Sequence, residues 1–126
     1  MKSFQFPAWV LVFIALAGNG RAEDGTVLFE KQIRPAFHKY CYECHSAASA
    51  KKKGGLSLDF RDGVLKGGTT GPAVVPGDLE ESLLIQAIRY ADPDTGMPPK
   101  GKLSAEVIAA FEQWVKLGAF DSRDKS

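Results

Sequence analysis

Cys41-Tyr42-Glu43-Cys44-His45 is the stretch that decides the reading of this chain. Two cysteines three apart, with a histidine directly after the second, form the attachment pattern for c-type haem. Each thiol adds across one haem vinyl group to give a thioether. Cys41 and Cys44 share one turn of backbone, so both reach the same porphyrin edge. His45 is then carried under the iron, where it ligates from the proximal side. These two cysteines are the full complement of the chain. The same spacing serves half of a zinc site, a redox dithiol or a disulfide. Structural zinc takes four ligands, and no second cysteine pair exists. A site built from residues 38, 41, 44 and 45 is too compressed to close a tetrahedron. A thioredoxin-like dithiol sits beside strand–helix–strand units, and the chain shows no such alternation.

The N-terminus agrees with haem attachment across a membrane. Lys2 gives a thin positive start, Ala8 to Ala17 is apolar throughout, and Gly18 to Ala22 supplies small residues around Arg21. This reads as a secretory signal peptide over residues 1–22, cleaved after Ala22, and implies a periplasmic protein. The run is short against the ~20 helical residues that span a bilayer, so no membrane span is expected after cleavage. The alternative is an uncleaved N-terminal anchor. Losing Lys2 and Arg21 takes the 16 basic residues to 14, against 15 acidic ones. That balance argues against nucleic acid as a partner, which calls for a basic excess. Lys51-Lys52-Lys53 is the one basic run, a solvated loop or a docking patch for an acidic redox partner.

Residues 23–126 read as one domain with its core at about 26–120 and a polar, frayed tail over 121–126. Hydrophobic periodicity predicts an all-α fold with three main helices joined by Gly/Pro-rich loops. The first runs from Thr26 to about Tyr40, with Val27, Phe29, Ile33, Phe37 and Tyr40 as its apolar stripe. Pro35 should split or kink it. The second opens at Asp78, with Glu81 completing a capping box, and buries Leu83, Leu84, Ala87 and Ile88. The third is capped by Ser104, buries Val107, Ile108, Phe111, Trp114 and Val115, and ends at Gly118. A helical turn near Phe60 to Leu65 and glycine pairs at 54–55 and 67–68 fill the middle. Trp114 is expected between the first and third helices.

The distal face of the iron decides what such a haem does. Methionine there gives a six-coordinate electron carrier. After signal cleavage Met97 is the remaining methionine, and it sits in Asp92-Pro93-Asp94-Thr95-Gly96-Met97-Pro98-Pro99. Pro98 restrains Met97 to extended backbone, and the two prolines stiffen the loop that presents its sulfur. Gap-filling in a core is the ordinary role of a lone methionine. Met97 is nevertheless read as the distal axial ligand, because the iron needs one and this loop lies far along the chain from His45. His38 is the rival, but three residues before Cys41 it falls near the proximal edge. The free ring nitrogen of His45 needs an acceptor, expected among the backbone carbonyls of Gly54 to Leu58. Arg61, Arg89 and Tyr90 are candidates to hydrogen-bond haem propionates.

Phe29-Glu30-Lys31-Gln32-Ile33-Arg34-Pro35, CYECH, KGGLSLDFRDGVLKGG, GPAVVPGDLEESLLIQAIRY, MPPKGKLS and FEQWVKLGA together resemble the planctomycete-type cytochrome c domain over about residues 26 to 120. The resemblance implies a class I-like cytochrome c fold. It also implies covalent haem c on Cys41 and Cys44, iron ligated by His45, and Met97 of the methionine–proline motif opposite. Class I cytochromes usually place a proline after the haem motif whose carbonyl orients the histidine. Here no proline occurs between His45 and Pro72.

The expected function is that of a monohaem c-type cytochrome, a single-electron carrier for redox protein partners rather than an enzyme. Two readings compete with it. One is a haem-based ligand sensor or weak peroxidase with a labile distal ligand. The other is a haem-stabilised docking module for a partner enzyme.

Overall fold

The computed structural model describes residues 20–49 and 53–124. Most of the expected signal segment, residues 1–19, and two lysines of the basic run, Lys51 and Lys52, lie outside the described residues. Among the described residues the fold is helical and no strand forms; the β-type pairing consists of two isolated bridges, Gly68 with Gly71 and Val75 with Asp78. No described helix is long and apolar enough to cross a membrane.

The first helical segment is continuous from Gly20 to Tyr40 but changes pitch. Helix α1 (Gly20–Leu28) runs into a π-helical turn at Phe29–Ile33 and then into α2 (Arg34–Tyr40). In that wide turn the Arg34 N–H donates back to the Phe29 carbonyl. Pro35 has no N–H to return to the preceding turn, and the single wide turn absorbs the mismatch. The segment therefore neither splits nor breaks at Pro35. Phe29, Ile33 and Phe37 form the fully buried stripe. Val27 and Tyr40 leave it: both are exposed, Val27 because two residues before Phe29 is the far side of the helix, and Tyr40 as the last residue of α2.

Helix α3 (Arg61–Lys66) matches the expected turn after Phe60. The second predicted helix starts later than expected. Asp78 Oδ1 accepts from the Glu81 N–H at 3.1 Å, but that bond closes a turn, and α4 spans only Leu83–Ile88. Ser82 explains the delay. Its buried hydroxyl accepts from the Val75 N–H at 2.9 Å and donates to the Asp78 carbonyl at 2.6 Å. These bonds hold residues 75–82 as a closed loop ahead of the helix. Ile85 takes the buried position that the sequence pattern gave to Leu83, which is exposed.

Helix α5 (Ala105–Lys116) begins as predicted, with Ser104 Oγ accepting from the Val107 N–H at 3.3 Å. Gly118 follows it with φ +105°, a backbone conformation that costs glycine no steric penalty. The core lies where α5 crosses the first segment. Trp114 packs against Phe29 and Phe37 at ring-centroid distances of 5.9 and 5.8 Å. Phe37 meets Phe111 edge-on at 5.3 Å. The Trp114 indole N–H donates to the Phe120 carbonyl at 2.7 Å, so this buried ring leaves no polar atom unpaired.

Residues 121–124 of the C-terminal tail are not frayed as expected; 125 and 126 lie outside the described residues. Asp121 and Arg123 are 7 % and 9 % exposed and lie against the core. Asp121 and Arg123 form a buried ion pair at 2.7 Å, while Ser122 and Asp124 between and after them face solvent.

Candidate functional site

The haem-motif turn grows directly out of the end of α2. The Cys41 and Tyr42 N–H groups both donate to the Phe37 carbonyl, at 3.0 and 3.1 Å. The chain then closes on itself: the Cys44 and His45 N–H groups donate to the Cys41 carbonyl at 3.2 and 2.9 Å. One turn of backbone thus presents both thiols and the imidazole, the spacing argument made physical. A second segment braces it from outside. Lys53 N–H donates to the Cys44 carbonyl at 3.2 Å, and Leu58 N–H to the His45 carbonyl at 2.8 Å.

The opposite wall comes from α4 and the loop after it. Met97 N–H donates to the Ala87 carbonyl at 3.0 Å. The Tyr90 hydroxyl donates to the Pro98 carbonyl, and its ring lies flush against Gly96. A Cβ built on Gly96 would stand 2.5 Å from Tyr90 Cδ1. Gly96 is therefore required for close approach rather than for its φ of −58°. The Met97–Pro98 peptide bond is cis.

Between these walls lies an open cavity of about 380 Å³. Cys41, Cys44, His45 and Met97 all line it, two segments far apart in sequence meeting across one space. The remaining walls are mostly apolar or backbone: Leu56, Leu58, Ala73, Leu84, Ile88, Leu103 and Phe111, with Gly68 to Gly71 along one side. Such a volume is in the range that binds small organic groups. Burial, with the neighbouring Cys44 thiol adding to it, pushes the Cys41 thiol up to about 12. Both cysteines are free thiols. Burial is also the main cause that lowers the His45 imidazole below its ordinary value; the Lys53 backbone carbonyl opposes this, and the Lys53 charge reinforces it. The cavity therefore favours the protonated Cys41 thiol and the uncharged form of the His45 imidazole, within apolar walls suited to a flat macrocycle.

His38 lines a different groove, with Arg34, Tyr42, Asp59 and Arg123. No group of three or more His, Cys, Asp or Glu side chains that could hold a metal ion occurs among the described residues, so residues 38, 41, 44 and 45 do not assemble as a zinc set. The carbonyl expected to serve His45 is not found within 54–58. His45 Nδ1 is buried without a hydrogen-bond partner among the described residues. The Gly54 carbonyl is taken by the Thr69 N–H at 2.9 Å.

Arg61, Arg89 and Tyr90 do not line the cavity. Arg89 is drawn outward by Glu112 at 2.8 Å and Glu80 at 3.5 Å. Arg61 lies beside Asp62. Tyr90 instead braces the Met97 loop from behind. Thr69 and Thr70, on the cavity wall, were not foreseen, although the glycines around them mark a tight loop. Gly67, at φ +74°, could not carry a side chain: its Cβ would lie 1.9 Å from the Gly71 carbonyl oxygen.

Residues 41–101 match the model of the family described as Planctomycete cytochrome C. The chain carries a planctomycete-type cytochrome c domain. That membership gives the domain a haem-binding, electron-transfer role. The matched span of the cytochrome runs from the first cysteine past the methionine–proline loop and so covers both faces of the cavity. The Phe29, Phe37 and Trp114 packing that supports those faces lies outside it. No curated protein and no solved structure shows significant similarity to the chain.

Proposed function

We propose that this cytochrome is a monohaem electron carrier, with haem c held by thioethers to Cys41 and Cys44 and its iron ligated by His45 and Met97. The observation that carries the reading is the convergence of these four side chains on one apolar cavity. Haem, when bound, supplies a one-electron ferric–ferrous couple. The protein's own work is to hold and to exclude. The α2 end fixes the thiols on one porphyrin edge. His45 enters as the neutral imidazole that ligation requires. Ala87 and Tyr90 hold the Met97 loop at the opposite wall, a fixed position from which Met97 would serve a bound haem. Leu58, Ile88 and Phe111 keep water from the ring.

The same reading takes residues 23–126 as one class I-like cytochrome c domain, exported to the periplasm behind the 1–22 signal, that passes electrons between redox protein partners without substrate chemistry of its own. Met97 is 36 % exposed. That exposure favours, as a second reading, a labile distal bond and a ligand-sensing or weakly peroxidatic haem. One experiment decides between them. The ferric protein should show the methionine–iron charge-transfer band in the near infrared, and Met97→Ala should abolish it. A wild type without the band, or one that takes up carbon monoxide readily when reduced, sinks the carrier reading.

A further inference from the structure

Arg123 lies beyond the family match, yet its guanidinium reaches the centre of the haem motif. Its Nε and one terminal nitrogen donate to the two oxygens of Asp121 at 2.9 and 2.7 Å. The other terminal nitrogen donates to the Tyr42 hydroxyl at 2.7 Å and to the Leu58 carbonyl. Its planar face stands 5.3 and 5.2 Å from the ring centres of Phe29 and Phe37. Tyr42 lies between the two cysteines. The Leu58 N–H holds the His45 carbonyl at 2.8 Å, and the Phe37 carbonyl receives the first two N–H groups of the turn. One buried cation therefore touches all three segments that set where the thiols and the imidazole point.

We infer that Arg123 is a positioning residue for the haem-attachment turn, acting through Tyr42 and through the Leu58 peptide on His45. The inference rests on the haem reading proposed above. A buried ion pair is seldom the most stabilising solution, since apolar residues of the same volume often match or exceed it. What the guanidinium adds is direction: a rigid fork with five N–H donors satisfies a carboxylate, a phenol and a carbonyl at fixed angles. Lysine has the charge but not the fork. Asp121 neutralises the cation and orients it, leaving the second edge free for the motif.

The test uses the haem-loaded protein, comparing wild type with Arg123→Met, Arg123→Lys and Tyr42→Phe. Mass spectrometry first establishes whether wild type carries haem on two thioethers. The readout for positioning is the hyperfine-shifted NMR signals of the His45 ring protons in the oxidised protein, measured beside the unfolding midpoint. Arg123→Met and Tyr42→Phe should move those signals by several linewidths in the same direction. Arg123→Lys should fail to restore them. Tyr42→Phe removes one hydroxyl and keeps the ring, so it remains informative if the Arg123 variants do not fold. Unmoved His45 signals in Tyr42→Phe, even with a lowered unfolding midpoint, would overturn the inference and leave Arg123 a structural residue only. A wild type without the haem mass refutes the functional reading itself, an outcome separate from that one.

Discussion

Gly96→Ala should damage the distal wall without touching any proposed ligand. Gly96 has φ −58° and ψ 137°, a conformation open to any residue, so the substitution carries no backbone penalty. Its effect is contact alone. The new methyl would meet Tyr90 Cδ1, Cγ and Cε1 at 2.5, 2.6 and 2.7 Å. Ordinary carbon–carbon contact begins near ~3.5 Å, so ring and loop must part by about 1 Å. The ring cannot withdraw freely, because its hydroxyl is tied to the Pro98 carbonyl and its backbone sits at φ +57°. Overpacking of this kind costs about 1–3 kcal/mol, or on the order of 10 °C in the unfolding midpoint of a domain this size. The movement falls on Met97, the next residue, so the near-infrared band should weaken or shift as well. Thermal unfolding and the ferric spectrum read the two effects. Tyr90→Leu added to Gly96→Ala removes the obstructing ring and should recover part of the loss, a non-additive pair. Stability and spectrum unchanged in Gly96→Ala would refute the reasoning, as would a double variant worse than the two single losses combined.

Three further outcomes follow from contacts elsewhere in the fold. Ser82→Ala strips the acceptor from the Val75 N–H and should cost about 1–3 kcal/mol in urea unfolding; a loss below measurement would mean that the 75–82 loop closes without it. Trp114→Ala opens the centre of the aromatic cluster and should cost about 3–5 kcal/mol, read by the same unfolding curve. The Ser122 hydroxyl, ahead of the Arg34 guanidinium, holds the Glu30 carboxyl below its usual range. The stability from ionised Glu30 is thus complete above that range and is lost as pH falls through the depressed folded value. Ser122→Ala should raise the Glu30 pKa in a carbon-13 carboxyl titration, and an unmoved titration would remove Ser122 as the cause.

Residue pattern exposed the parts of this structure that depend on local spacing. The turn at Cys41–His45, the cap at Ser104 and the stripe Phe29, Ile33 and Phe37 are each set by neighbours a few positions away. The late start of α4 was hidden because the Ser82 hydroxyl reaches back to Val75, and a competent capping box at Asp78 gives the same local signal whether or not a helix follows it. The exposure of Val27 follows from its own spacing, two residues from Phe29 and so on the far side of the helix, and Tyr40 is exposed at the end of α2. At the site, the convergence of Met97 with the haem motif was anticipated from the chemistry a distal face requires. The role of Tyr90 was not: its partner is a backbone carbonyl, which carries no residue-type signal. The tail was misread for a similar reason. Asp121 and Arg123 look hydrophilic singly, and only their pairing against the Phe29 and Phe37 rings makes burial tolerable.

The strap formed by Arg123 also sets an order of events in the life of the chain. Synthesis runs from the N-terminus, so the CYECH turn and Leu58 exist before α5 and Arg123 have been made. Before Arg123 is made, Tyr42 and the Leu58 carbonyl lack the guanidinium that joins them. A recombinant fragment cut at the boundaries of the matched segment, 41–101, would keep Cys41, Cys44, His45 and Met97 but discard the latch, the aromatic core and, with Leu103 and Phe111, part of the cavity wall itself.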